Sequence, residues 1–197
     1  MKHVRLDSND CVSDFQIASP SLLASFLWTI ILAAAVVAGS FALSCTTPFA
    51  ALAVALAATV GLRASLATIA LVWGVNQIVG FTWFHFPWTA NAFGQGIAIG
   101  VAALLGTVVA HAVLSHRGLG RLGWALLLSF AVYEATLWLA ALGLGGRETF
   151  AMPVVMEIAL INAAWFAGLS ALNELAAALC KPWLGRIPMV LRSSGSS

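Results

Sequence analysis

Long apolar runs separated by short polar breaks make up most of the chain. A bilayer core of ~30 Å needs about 20 apolar residues per helix, and the pattern predicts six such segments. They lie at about 21–44, 47–62, 65–81, 92–115, 122–143 and 152–180. Runs rich in Ala and Leu satisfy their own backbone hydrogen bonds as helices, and the alternating pattern of membrane β-strands is not found in them. The sequence therefore predicts an all-α membrane domain over residues 21–180.

The second predicted segment is short, and its connection to the third admits two interpretations. One continuous helix through Arg63 would be about 50 Å long at 1.5 Å per residue, with a charge near its middle. That length exceeds the hydrocarbon core of a bilayer. We therefore predict a turn at Gly61-Leu62-Arg63.

Charged residues are scarce and unevenly distributed. They make up 8% of the chain and hydrophobic residues 61%, whereas soluble domains carry about 25% charged residues. With six spans and a cytoplasmic N-terminus, eight of the nine Lys and Arg lie inside and Arg147 lies outside, in agreement with the positive-inside rule. The eight are Lys2, Arg5, Arg63, Arg117, Arg121, Lys181, Arg186 and Arg192. We therefore predict six spans in the inner (cytoplasmic) membrane, with residues 1–20 and 181–197 in the cytoplasm (N-in/C-in).

The sequence argues against several classes of function. The net charge is only +2 and no basic patch indicates a nucleic-acid partner. Cys11, Cys45 and Cys180 have no CxxC spacing, so neither a metal site nor a disulfide framework is expected. No phosphate-binding loop is present, so no ATP hydrolysis by this chain is expected, and no HExxH or Gly-x-Ser-Gly motif indicates a membrane hydrolase. We predict a protein that is not an enzyme and has no cofactor.

The stretch FTWFHFPWTANAFGQ, residues 81–95, is rich in aromatic rings and carries no formal charge. The charge distribution places it outside, between the third and fourth segments. Trp83 and Trp88 are typical of an aromatic belt at the membrane interface. His85 and Asn91 add hydrogen-bonding groups that an anchor does not need, and these favour a lid over a binding site. Both interpretations stay open at this point.

Polar side chains within the apolar segments are candidate ligand contacts. Asn76 and Gln77, near the end of the third segment, need partners in hydrocarbon, either on another helix or in a pocket. Glu134 lies beside Tyr133 near the middle of the fifth segment, and an intramembrane carboxylate is a functional-site hypothesis by default. It is either a protonated structural group or a contact for a cationic ligand. Glu157, about one turn inside the sixth segment, either reaches the interface or joins the same pocket.

Small residues are spaced for close helix packing at Ala34-x3-Ala38 and Gly96-x3-Gly100. With about 200 residues, six predicted helices and both ends inside, the chain resembles an S component, the substrate-binding membrane subunit of energy-coupling-factor transporters. The resemblance implies a pocket that is open to the outside and covered by the first extracellular loops. It also implies that a coupling subunit docks on Ala34 and Ala38, and that two separate ATPases supply the energy.

The resemblance also bears on the substrate. S components for cobalt and nickel have a histidine directly after the initiator Met, but here Lys2 precedes His3, so a vitamin is favoured over a metal ion. Cys45 is similar to the thiol with which some solitary S components bind cobalamin. A pocket of Trp, Tyr, Glu, His and Asn would also suit a thiamine-like cation.

Two functions are compatible with these features. The first is uptake of a small organic solute, such as a cobalamin- or thiamine-like vitamin, through an outward-facing pocket in the lipid bilayer. Its candidate residues are Asn76, Gln77, Trp83, His85, Trp88, Asn91, Tyr133, Glu134 and Glu157. The alternative is a non-catalytic accessory or assembly subunit of a larger membrane complex.

Overall fold

The computed structural model of the protein describes residues 26–27, 29–34, 37–38, 47–116, 118 and 120–179, apart from the side chains of residues 148, 176, 177 and 179. All regular structure in that part is helical, which confirms the all-α prediction. Residues 26–27, 29–34 and 37–38 are helical, and they are followed by α1 (Phe49–Thr59), α2 (Leu62–Thr82), α3 (Ala90–Ser115), α4 (Arg121–Leu144), a 3-10 helix (Arg147–Phe150) and α5 (Met152–Leu179). The predicted cytoplasmic segments 1–20 and 181–197 lie outside the described residues.

Four of these helices, α2 to α5, are long and apolar enough to cross a membrane, as expected of a multi-pass membrane protein. Helix α1 has 11 residues and is therefore about 16 Å long, roughly half of a bilayer core. It begins after Pro48, and the chain is extended at Val60 and Gly61 before α2 begins. The second predicted segment is thus a half-length helix in the structure. The count of six spans and the N-in/C-in topology are not confirmed and stay predictions.

Helix α1 forms the centre of the bundle. Its residues from Phe49 to Leu56 are all buried, and it packs against α2, α3, α4 and α5. The sequence FAALAVALAAT is apolar on every side, as a helix needs to be when neighbours surround it. Leu52 and Leu56 belong to the same buried core cluster as Ile69 and Val72 of α2. A helix this short can be stable because packing, rather than its own length, supplies its stability.

Helices α2 and α3 approach closely because α3 presents glycine where α2 presents a large ring. The indole Nε1 of Trp73 donates a hydrogen bond of 2.8 Å to the carbonyl of Gly96. Gly96 and Gly100 are both buried, and the side chain of Gln77 packs against Gly96 while the Trp73 ring packs against Gly100. The Gly96-x3-Gly100 motif therefore serves contact between these two helices.

Asn173 of α5 is a buried amide with no hydrogen-bond partner among the described residues. Its side chain is 1% exposed, and neither its Oδ1 nor its Nδ2 is paired there. Leucine has the same number of side-chain heavy atoms and no polar group to desolvate. We expect Asn173→Leu to raise the free energy of unfolding by about 1–2 kcal/mol, because an unpaired buried amide is costly. Thermal unfolding of the purified protein in detergent measures this change.

Asn162, on the same helix, provides the matched control. It is also buried, but both of its amide atoms are hydrogen-bonded. Asn162→Leu removes these bonds and should lower the unfolding temperature. A decrease in both variants would show that Asn173 has a structural partner and would contradict the prediction.

Candidate functional site

A cavity of about 180 Å³ lies among the five helices and the 3-10 helix. Its polar lining residues are Thr47, Asn76, Tyr133, Glu134, Thr149 and Asn162. Its apolar lining residues are Phe49, Ile99, Leu137, Phe150, Val154 and Ile158. These positions fall near the start of α1, α3 and α5 and in the second half of α2 and α4. The cavity therefore lies towards the end of the bundle that carries the connections 83–89 and 145–151.

Two asparagines on the wall of the cavity have different roles. The hydroxyl of Thr47 donates a hydrogen bond of 2.9 Å to Oδ1 of Asn76, which orients that amide and leaves its NH2 group as the donor. Both the oxygen and the nitrogen of the Asn162 side-chain amide form hydrogen bonds within the protein. Its Oδ1 accepts from the backbone N–H of Ala51 at 3.1 Å, and its Nδ2 donates to the carbonyl of Ile158 at 3.0 Å. Asn162 thus satisfies a first-turn N–H of the buried helix α1, which has no intrahelical partner.

Glu134 is the acid in the lining of the cavity. Its Oε1 atom is buried and has no hydrogen-bond partner among the described residues. Buried polar atoms are normally paired, so this carboxylate oxygen calls for a partner from beyond the described residues. The adjacent Tyr133 packs its ring against Phe49, with the ring centroids 6.2 Å apart. A carboxylate and aromatic rings therefore line the same space.

The segment that covers the cavity follows α4. Gly145 and Gly146 have φ angles of 85° and 91°, a left-handed conformation that glycine adopts without strain. The Nε2 of Gln95 donates to the carbonyl of Gly145 at 3.2 Å, which ties this segment to α3. Thr149 and Phe150 of the 3-10 helix then line the cavity. The pair of glycines was the sequence signal for this turn, but nothing in the sequence showed where the following residues would pack.

The structure brings together three of the nine predicted site residues on the cavity wall, Asn76, Tyr133 and Glu134. Gln77 packs against Gly96 of α3 instead. Glu157 is exposed and does not line the cavity. The functional role of the predicted site stays a prediction.

The four remaining predicted residues belong to the aromatic stretch, and none of them lines the cavity. Trp83, His85, Trp88 and Asn91 are all exposed, with the two tryptophans 71% and 73% exposed. The rings pack against one another instead: Phe81 stacks on Phe93 at 4.7 Å and also contacts Trp88 and Phe86. This cluster joins the end of α2 to the start of α3. The geometry favours the belt interpretation of residues 81–95 over the lid.

Other features of the described residues are less suited to a site. No group of three or more His, Cys, Asp or Glu in that part could hold a metal ion. His111 is hydrogen-bonded to Ser65 at 2.9 Å. Ala34 and Ala38, the predicted docking positions, are exposed, and Cys45 lies outside the described residues. The chain matches no family model, no curated protein and no solved structure.

Proposed function

We propose that this protein is a membrane-embedded solute-binding protein that takes up a small organic solute through the cavity beside Glu134. The observation that carries the proposal is Glu134, which lines that cavity and whose buried Oε1 has no hydrogen-bond partner among the described residues. Neighbouring donors are available in the NH2 group of Asn76 and the hydroxyl of Tyr133. Cavities between helices with a few polar groups on apolar walls are common ligand sites.

The orientation of the cavity supports uptake from outside. Arg63 and Arg121 lie at the start of α2 and α4, at the opposite end of the bundle, whereas Arg147 lies at the cavity end. On the positive-inside rule, the cavity end then faces outward. The topology is part of the proposal: six spans with both ends cytoplasmic, in the inner membrane.

The energy source is proposed from the resemblance to S components. In such a system a coupling subunit and two ATPases act with the solute-binding chain. Ala34 and Ala38 lie in the helical stretches 29–34 and 37–38, are exposed and are four residues apart in sequence, and small side chains let another helix approach closely. We propose that the coupling subunit docks on this face.

The size of the cavity limits the solute. A volume of about 180 Å³ is below the ~300–1,000 Å³ of sites for drug-sized ligands. A solute as large as cobalamin or thiamine would need a larger cavity than this one. The structure as it stands favours a smaller solute.

Native mass spectrometry of the protein purified from its own membranes tests the proposal. The expected result is a small organic solute bound to the folded chain and released on denaturation. The alternative function, an accessory subunit, also predicts associated membrane chains, but it predicts lipid adducts only and no bound solute. That second result would overturn the proposal.

A further inference from the structure

In the described part of the chain, the ionisable side chains that line the cavity include a carboxylic acid but no basic group that could pair with it. Glu134 lines the cavity, whereas no Lys, Arg or His does among the residues that the structure describes. Arg147, on the neighbouring 3-10 helix, is exposed and is not among the lining residues. An ionised carboxylate is costly in a low-dielectric site unless a cation accompanies it. The described lining supplies no such cation, and a cationic solute would supply it.

Three aromatic rings line the same cavity. Phe49 comes from the buried helix α1, Tyr133 from α4 and Phe150 from the covering 3-10 helix. The rings of Phe49 and Tyr133 are tilted by 33° with their centroids 6.2 Å apart. Aromatic faces attract cations within about 6 Å, and groups of rings recognise ammonium ions with alkyl substituents. A neutral solute lacks both charge-based attractions, to the ring faces and to the carboxylate.

We infer that the solute is a small organic ammonium ion, paired with Glu134 and enclosed by Phe49, Tyr133 and Phe150. This inference rests on the proposed solute-binding function. The volume of about 180 Å³ admits an ammonium group with a few carbon atoms. The NH2 group of Asn76 is available to a hydroxyl or carbonyl oxygen on such a solute.

A pair of isosteric probes separates charge from shape. Choline and 3,3-dimethyl-1-butanol have nearly the same shape, but the second has carbon in place of the charged nitrogen. We expect choline or tetramethylammonium to bind the protein in lipid nanodiscs at least tenfold more tightly than 3,3-dimethyl-1-butanol, as measured by isothermal titration. Glu134→Gln should remove this preference, whereas Glu134→Asp, which keeps the charge, should retain part of it.

Glu157→Gln is the matched control, because Glu157 is exposed and does not line the cavity. This variant should bind the ammonium probes as the unmodified protein does. Equal thermal unfolding temperatures of the two Gln variants would show that both are folded. The inference is overturned if neither ammonium probe binds more tightly than the neutral probe, or if Glu134→Gln leaves the preference unchanged.

The inference and the proposed function fail in different ways. A neutral or anionic solute found by native mass spectrometry would overturn the ammonium class and leave solute binding intact. Lipid adducts alone, with associated membrane chains, would overturn the proposed function as well.

Discussion

The Gly100→Leu variant should lose about 2–4 kcal/mol of unfolding free energy. A Cβ atom at position 100 would lie 2.8 Å from the Trp73 ring, well inside van der Waals contact. The ring cannot swing away freely, because its Nε1 is hydrogen-bonded to the Gly96 carbonyl. Overpacking costs ~1–3 kcal/mol, and loss of the hydrogen bond adds about 1 kcal/mol. Equilibrium unfolding in mixed micelles measures the difference.

Gly123 of α4 provides the control for this substitution. It is exposed, and a Cβ at its position meets no atom within 4 Å. Gly123→Leu is therefore the same substitution without a steric clash. The free energy of unfolding of this variant should be close to that of the unmodified protein. Equal stability of the Gly100 and Gly123 variants would contradict the packing of α2 on α3 described above.

The Ile158→Trp variant should lose most of its bound solute. Ile158 lines the cavity from α5, and an indole there would occupy much of a space of about 180 Å³. Since the solute and the ring compete for one volume, the fraction of protein carrying solute should fall at least tenfold. Native mass spectrometry of the purified variant measures that fraction.

Leu160→Trp is the matched control for Ile158→Trp. Leucine and isoleucine are isomers, so the two substitutions change the mass of the protein equally. Leu160 lies two residues further along α5 and is 66% exposed. Its replacement should leave the bound fraction unchanged, and similar unfolding temperatures would exclude a general loss of fold. Retention of solute in both variants would show that the solute binds elsewhere.

The long helices were predictable because their apolar runs are bounded by clear breaks. The predicted segments 65–81, 92–115 and 122–143 correspond to α2, α3 and α4 to within three residues at each end. Helix α1 was not predictable as a half-length element. An apolar run of intermediate length is equally compatible with a membrane span and with a short buried helix. Only the helices packed around α1 distinguish these two structures.

The candidate site was predictable only where a polar residue interrupts an apolar helix. Asn76 and Glu134 stand out for that reason, and both line the cavity. Phe150 comes from a connection that a hydrogen bond between Gln95 and the Gly145 carbonyl, 50 residues apart, ties to α3. Asn162 and Glu157 lie on one predicted segment, yet the first is buried and the second exposed. Helix rotation set by tertiary packing decides such differences.

The most direct test of solute binding is an experimental structure of the protein purified from its own membranes. The proposal predicts density for a non-protein molecule in the cavity, within hydrogen-bonding distance (about 3 Å) of the Glu134 carboxyl group. A closed cavity, with the Glu134 carboxylate paired to another side chain of the protein, would contradict it.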